Sequence, residues 1–245
     1  MSTAVISIEN LSSGYENKQI LHDISLQVAR GEIMVILGTS GCGKTTLLKN
    51  LIGLLPAQKG DIKILDKKLS TLDEGEFNQL RRQIGVLFQN GALLNSIPVS
   101  ENVAIPFEQH TNFDEKLIRY MVQMKLQLVG LDHALNLLPS ELSGGMRKRA
   151  ALARAIALDP KILFADEPGA GLDPVTLAAL DELLISLKDK LGMTLVVVTH
   201  EVGSIKRIAD RVTYLHEGSV LFCGTLSEAM ESQIPEIKNF FYSVP

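Results

Sequence analysis

The segment that most constrains the fold is Gly38-Thr-Ser-Gly-Cys-Gly-Lys-Thr-Thr46. It follows the apolar run Ile33–Leu37 without a spacer and opens a helical pattern over Lys44–Leu55. Its wording fits G-x-x-x-x-G-K-[ST], in which glycines let the backbone curl and turn its N–H groups inward. The helix start adds the positive end of its dipole. Such a loop cradles phosphate with Gly38, Thr39, Ser40, Gly41, Cys42, Gly43, Lys44, Thr45 and Thr46. Lys44 can reach the β and γ phosphates, and the Thr45 hydroxyl can ligate Mg²⁺. Cys42 reads as a small loop residue with no redox role. Strand, loop and helix in immediate succession call for an α/β architecture.

The remaining pattern agrees. Ile162–Ala165 and Leu195–Val198 are further continuous apolar runs, as expected of parallel strands covered on both faces. Ala4–Ile8, Ser25–Val28, Asp61–Leu65 and Ile84–Phe88 read as strands, the earliest alternating as a half-exposed antiparallel edge would. Val212–Leu215 and Ser219–Cys223 read as a hairpin around Glu217-Gly218. Helices are expected over Asp114–Val129, Ser143–Leu158, Pro174–Leu191 and Glu201–Ala209, with two weaker ones around Pro235. From about 91 to 159 the pattern is helical, so the fold expected is an α/β core (about 1–90 and 160–245) with an inserted α-helical subdomain.

Composition limits what such a chain does. Hydrophobic residues make 46% and charged residues 21%, a globular balance that excludes disorder as the main state. Lysine and arginine number 24 against 28 acidic residues, a net charge of −4, which argues against nucleic acid as a partner. Two distant cysteines, Cys42 and Cys223, suit a reducing compartment. No apolar stretch is long enough to span a bilayer and no secretory leader is expected, so work at a membrane would need other chains.

Two further segments carry chemistry. Lys161-Ile-Leu-Phe-Ala-Asp-Glu167 is an apolar strand ending in adjacent carboxylates, where a parallel sheet presents its ligands. Asp166 fits a Mg²⁺ partner, and Glu167 fits a base that orients and deprotonates water. Leu142-Ser-Gly-Gly-Met146 opens another helical pattern, so Ser143, Gly144 and Gly145 form a second anion-binding helix start. One nucleotide already has its cradle, so the second surface suggests use by another copy of the chain. Arg147, Lys148, Arg149 and Arg154 read as a mostly solvated basic face.

Together these motifs resemble the nucleotide-binding subunit of an ATP-binding-cassette (ABC) transporter, over about residues 4–230. The resemblance implies a P-loop NTPase (RecA-like) core with an antiparallel β edge, with ATP and Mg²⁺ as cofactors. It also implies an ATPase that works as a homodimer with two nucleotides in between. Tyr15 matches the aromatic that stacks on adenine. Gln89 matches the glutamine loop that contacts Mg²⁺ and water and links to the helical lobe. Asp173, in Gly171-Leu-Asp-Pro174, matches the loop that crosses to the partner, besides capping its own helix. His200 matches the switch histidine at the γ-phosphate. The catalytic set is then Glu167, His200, Gln89 and Lys44, and the metal set Thr45, Gln89 and Asp166. Met146 departs from the family's usual glutamine, and Gly169-Ala170-Gly171 is unusually small.

The wording from Leu87 to Thr111, and LSGGM followed by Arg147-Lys-Arg, is similar to the ATPases of Mla-type systems. That resemblance implies phospholipid transport linked to outer-membrane lipid asymmetry, through a permease on the cytoplasmic side of a bacterial inner membrane. MCE-domain and STAS-domain subunits are further partners it implies. Ala92–Ile97 reads equally as an apolar permease-docking surface. The alternatives are an importer ATPase for amino acids or another small polar solute, and a permease-free assembly or regulatory protein. Asn239–Tyr242 is an apolar patch expected to pack on its own core, the alternative being a neighbouring subunit.

Overall fold

The computed structural model describes residues 4–16 and 18–242. Along the chain run β1 (Ala4–Tyr15), β2 (Lys18–Ala29), β3 (Ile33–Gly38), α1 (Lys44–Leu51), β4 (Lys59–Ile64), β5 (Lys67–Lys68), α2 (Glu74–Arg81) and β6 (Ile84–Leu87). Next come α3 (Val99–His110), α4 (Glu115–Leu128), α5 (Gly144–Ala155), β7 (Ile162–Asp166) and α6 (Pro174–Leu191). The chain closes with β8 (Thr194–Val198), α7 (Val202–Ile208), β9 (Arg211–His216), β10 (Ser219–Thr225), α8 (Leu226–Met230) and α9 (Pro235–Tyr242). These elements fall into two compact units, one ending at 79 and resuming at 194, the other spanning 80–193.

In the first unit, β2, β1, β4 and β5 lie side by side, each pair antiparallel. On β2, Leu21, Ile24, Leu26 and Val28 are buried while Ser25 and Gln27 between them face solvent, the alternation expected of a sheet with one wet face. A second set runs β10-β9-β3-β8. Here β3 pairs in parallel with β8, Ile36 opposite Val198, and with β9, Gly38 opposite Leu215. Every residue of β3 and β8 is buried, so the continuous apolar runs are strands covered on both faces. Glu217 and Gly218 both take positive φ, as the tight turn between β9 and β10 requires. In α9, Ile237 and Phe241 are buried and Phe240 meets Tyr214 edge-on with centroids 5.7 Å apart, so this patch packs on its own core.

In the second unit, β6 and β7 are parallel, Leu87 opposite Ala165. Helices α3, α4 and α5 pack on one another through Val103, Phe107, Val122, Leu126 and Leu152. The 18-residue α6 begins where Asp173 caps it and Pro174 fills its first turn, and ends on Gly192 in the left-handed conformation.

Two helix ends and two helices differ from the sequence pattern, and β1 and β2 run longer than the expected Ala4–Ile8 and Ser25–Val28. Helix α1 stops at Leu51 rather than Leu55, because Gly53 turns to φ 70° just beyond it. Helix α5 stops at Ala155 rather than Leu158, before Asp159 at φ 51°. Helices α2 and α3 were not legible: α2 buries only Leu80, and α3 contains Pro106.

An ion pair with one buried partner ties α4 to the loop after α5. The Lys125 ammonium, on a side chain 4% exposed, bonds to the Asp159 carboxylate, which is 53% exposed. Removing one partner is therefore asymmetric. Asp159→Ala strands a buried cation and should cost about 2–3 kcal/mol, below the range for a fully buried pair. Lys125→Met leaves a carboxylate in water and should cost under about 1 kcal/mol. Thermal melts should place Asp159→Ala roughly 5–10 °C below the parent and Lys125→Met within a few degrees of it. Equal losses would refute that ordering.

Candidate active site

The phosphate loop leaves the buried end of β3 and enters α1 in the first unit. A Cβ on Gly38 would lie 2.2 Å from the Leu215 carbonyl, and one on Gly43 2.6 Å from Leu21 Cδ2. Their φ angles are 146° and 105°, so only glycine fits either place. Gly43 gives α1 no side-chain cap, which keeps the first-turn N–H groups available to an anion. Cys42 is buried in the loop and packs against Gly38, in keeping with a small packing residue. Lys44 Nζ donates to the carbonyls of Gly38 (2.8 Å) and Thr39 (3.0 Å), within the loop it is expected to serve. Thr39, Ser40, Gly41 and Thr45 are exposed, while Thr46 is buried.

Two other predicted residues share this unit. Tyr15 ends β1 with its ring 43% exposed. Lys49 Nζ donates to its hydroxyl at 3.1 Å and lies 5.4 Å from its ring centroid, which ties the ring to α1. His200 follows β8 by two residues, just past the carboxyl end of a parallel strand whose Val198 lies opposite Ile36. Its side chain is 61% exposed and its Nε2 lies 4.0 Å from Glu201 Oε1.

The second unit holds the other group. Gln89 follows β6 and is exposed; Asp166 ends β7, and Glu167 follows it, both half-buried. Glu167 has φ 44°, a left-handed conformation uncommon for a non-glycine residue. Ser143 caps α5, accepting from Met146 N–H at 3.2 Å, while Gly144 is exposed and Gly145 half-exposed. Met146 thus contributes its backbone N–H to the cap, a role its side chain does not affect. Asp173 accepts from Val175 and Thr176 N–H, each at 3.0 Å, and from the Thr176 hydroxyl. The Thr176 hydroxyl and then its N–H hold the Asp173 carboxyl below the usual range.

The basic face expected on α5 needs correction. Only Arg147 is exposed. Arg149 is half-buried and donates to Val129 O at 3.4 Å. Lys148 is buried and donates to the carbonyls of Gln89 and Glu167. Arg154 donates to Gly91 O (2.7 Å) and Ala92 O (2.8 Å), and burial lowers its pKa. Lys148 and Arg154 serve irregular backbone after β6 and β7, and Arg149 serves the carbonyl of Val129 at the end of α4, so these side chains take up carbonyls that have no strand partner. The 91–98 segment has a second hold that the sequence reading missed. Asn102, fully buried on α3, accepts from Leu94 N–H (2.7 Å) and donates to the carbonyls of Leu94, Ile97 and Pro98. An asparagine inside an apolar helix pattern was the available signal.

A family profile described as ABC transporter matches residues 21–170. The chain belongs to the ABC transporter family. It is 41% identical over 98% of its length, and 91% of the relative's, to the intermembrane phospholipid transport system ATP-binding protein MlaF of Haemophilus influenzae. It is 39% identical over 96% of its length, and 68% of the relative's, to a probable ribonucleotide transport ATP-binding protein of Mycobacterium leprae. In structure it is similar to the ATP-binding cassette MJ0796, solved as a dimer in a post-hydrolysis state with ADP and Pi. The TM-score is 0.82, at 32% identity, over 90% of this cassette and 98% of that one.

In the first unit Thr45 offers a hydroxyl oxygen, and in the second Gln89 and Asp166 offer an amide and a carboxylate oxygen. Each is the donor chemistry of Mg²⁺ rather than of zinc. Among the described residues no group of three or more His, Cys, Asp or Glu could hold a metal. Mg²⁺, which keeps waters and shares phosphate oxygens, needs no such cage.

Proposed function

We propose that this cassette hydrolyses ATP as one half of a homodimer and so drives phospholipid movement through a membrane permease. The 41% identity to MlaF along 98% of the chain carries the cargo assignment. The dimeric MJ0796 structure supports the sandwich arrangement. Tyr15 stacks on adenine, and Gly38–Thr46 bind the triphosphate. Ser143 and Gly145 of the opposite copy meet its γ-phosphate, with Asp173 contacting across the dimer. Thr45, Asp166 and Gln89 would hold Mg²⁺, which when bound would supply positive charge to the phosphate oxygens. Glu167 takes the proton of the attacking water, and His200 orients that water towards the γ-phosphate. Hydrolysis leaves like-charged products between the copies, which favours opening.

Among the described residues no helix is long and apolar enough to cross a membrane. Peripheral attachment to the cytoplasmic face of the inner membrane through the permease is part of this reading. Phe88 and Leu94, 38% and 50% exposed, give the 88–98 segment the apolar face for that docking. MCE-domain and STAS-domain subunits complete the assembly.

The name of the mycobacterial relative favours a second cargo, a ribonucleotide. Affinity purification from the native membrane, with mass spectrometry of proteins and lipids, separates the two. Co-purified permease with bound phospholipid is the expected result. A permease carrying a ribonucleotide or another polar solute would overturn the cargo assignment, and recovery without any membrane protein would overturn the transport role.

A further inference from the structure

Lys148 carries its charge on the buried face of α5. It is 8% exposed and shares its helical stripe with buried Ala151 and Leu152. Packing alone would be met there by an apolar side chain, and burying an ammonium is unfavourable unless acceptors take its protons. The acceptors are two backbone carbonyls, from the loops that follow neighbouring parallel strands. Nζ donates to Gln89 O after β6 and, at 3.4 Å, to Glu167 O after β7.

Both carbonyls belong to residues proposed to handle the attacking water. Glu167 sits at φ 44°, which a non-glycine residue keeps only where its surroundings hold it. Its carbonyl also accepts from Ala170 N–H at 3.1 Å. Burial lowers the Lys148 pKa, while the nearby Glu167 and Asp166 charges raise it.

We infer that Lys148 is a positioning residue for hydrolysis, joining the Gln89 and Glu167 carbonyls so that the Glu167 carboxylate and the Gln89 amide are aimed at the water. The inference rests on Glu167 being the base. Lys148 touches neither substrate nor water; it acts through the backbone of the two residues that do.

The test uses the full chain carrying Lys148→Met or Lys148→Gln, each alone and combined with Glu167→Gln. Steady-state and single-turnover phosphate release are measured with ATP affinity and melting temperature. Lys148→Met should lower kcat by about one to two powers of ten, the scale of a small misplacement of a catalytic group, with KM for ATP and melting little changed. Lys148→Gln, which keeps an N–H donor, should recover part of that loss. In the Glu167→Gln background, Lys148→Met should add almost nothing, because the group it aims is gone. Wild-type kcat in Lys148→Met would overturn the inference. So would a full additional loss on top of Glu167→Gln, or a kcat loss matched by weaker ATP binding and lower melting without recovery by glutamine. If Lys148→Met does not fold, Lys148→Gln in the two backgrounds decides, non-additivity supporting the role and additivity refuting it. Normal hydrolysis by Glu167→Gln would refute the base assignment itself. An inactive Glu167→Gln beside a normal Lys148→Met would refute only the positioning role.

Discussion

Glu167→Gln should still bind ATP and should cut phosphate release by about a thousandfold, within the range for removing a general base. The substitution is nearly isosteric, so the bonds from Lys148 and Ala170 to the Glu167 carbonyl remain available. Asp166, one residue earlier at the end of β7, keeps its carboxylate. What disappears is the proposed proton acceptor. ATP then persists between the copies, and the dimer should accumulate as a stable species. Size-exclusion chromatography with ATP and Mg²⁺, beside a phosphate-release assay, reads both effects. A variant that turns over at the parent rate would place the base elsewhere.

Lys44→Ala should lower kcat/KM for ATP by at least about a hundredfold, equivalent to about 2.7 kcal/mol. Charge-assisted hydrogen bonds are the strong ones, and this ammonium is the loop's own cation at the start of α1. The fold should survive, because the bonds Lys44 makes to the protein go to its own loop: the carbonyls of Gly38 and Thr39, and Cys42 Sγ. Calorimetric titration with ATP and a thermal melt check both halves of the expectation. Unchanged affinity and turnover would remove the phosphate loop from the site.

What the sequence showed plainly was whatever physics writes locally. Ile33–Gly38 is readable as a doubly covered strand because its neighbours on both faces are apolar, and Gly38 and Gly43 because no other residue fits their φ angles. Asp173-Pro174 announces the start of α6 for the same reason. The misreadings concern residues whose meaning depends on distant partners. Lys148 and Arg154 look like a solvated stripe until their acceptors are known: backbone carbonyls about sixty positions earlier in the chain and, for Lys148, also that of Glu167 beyond the end of its helix. Helix α3 hides because Pro106 interrupts its pattern and Asn102 occupies a core position, where it serves the preceding loop rather than the helix. Spacing therefore named the groups proposed to react and left the side chains that support them unseen.

Those supports bear on how force would leave the cassette. Between β6 and α3 the chain runs irregularly, yet Arg154 grips it at Gly91 and Ala92 and Asn102 grips it from Leu94 to Pro98. An eight-residue stretch with its backbone fastened at both ends has little slack to take up. A displacement imposed at Leu94 would therefore be expected to carry α3 and α5 with it, as a strut would rather than a hinge.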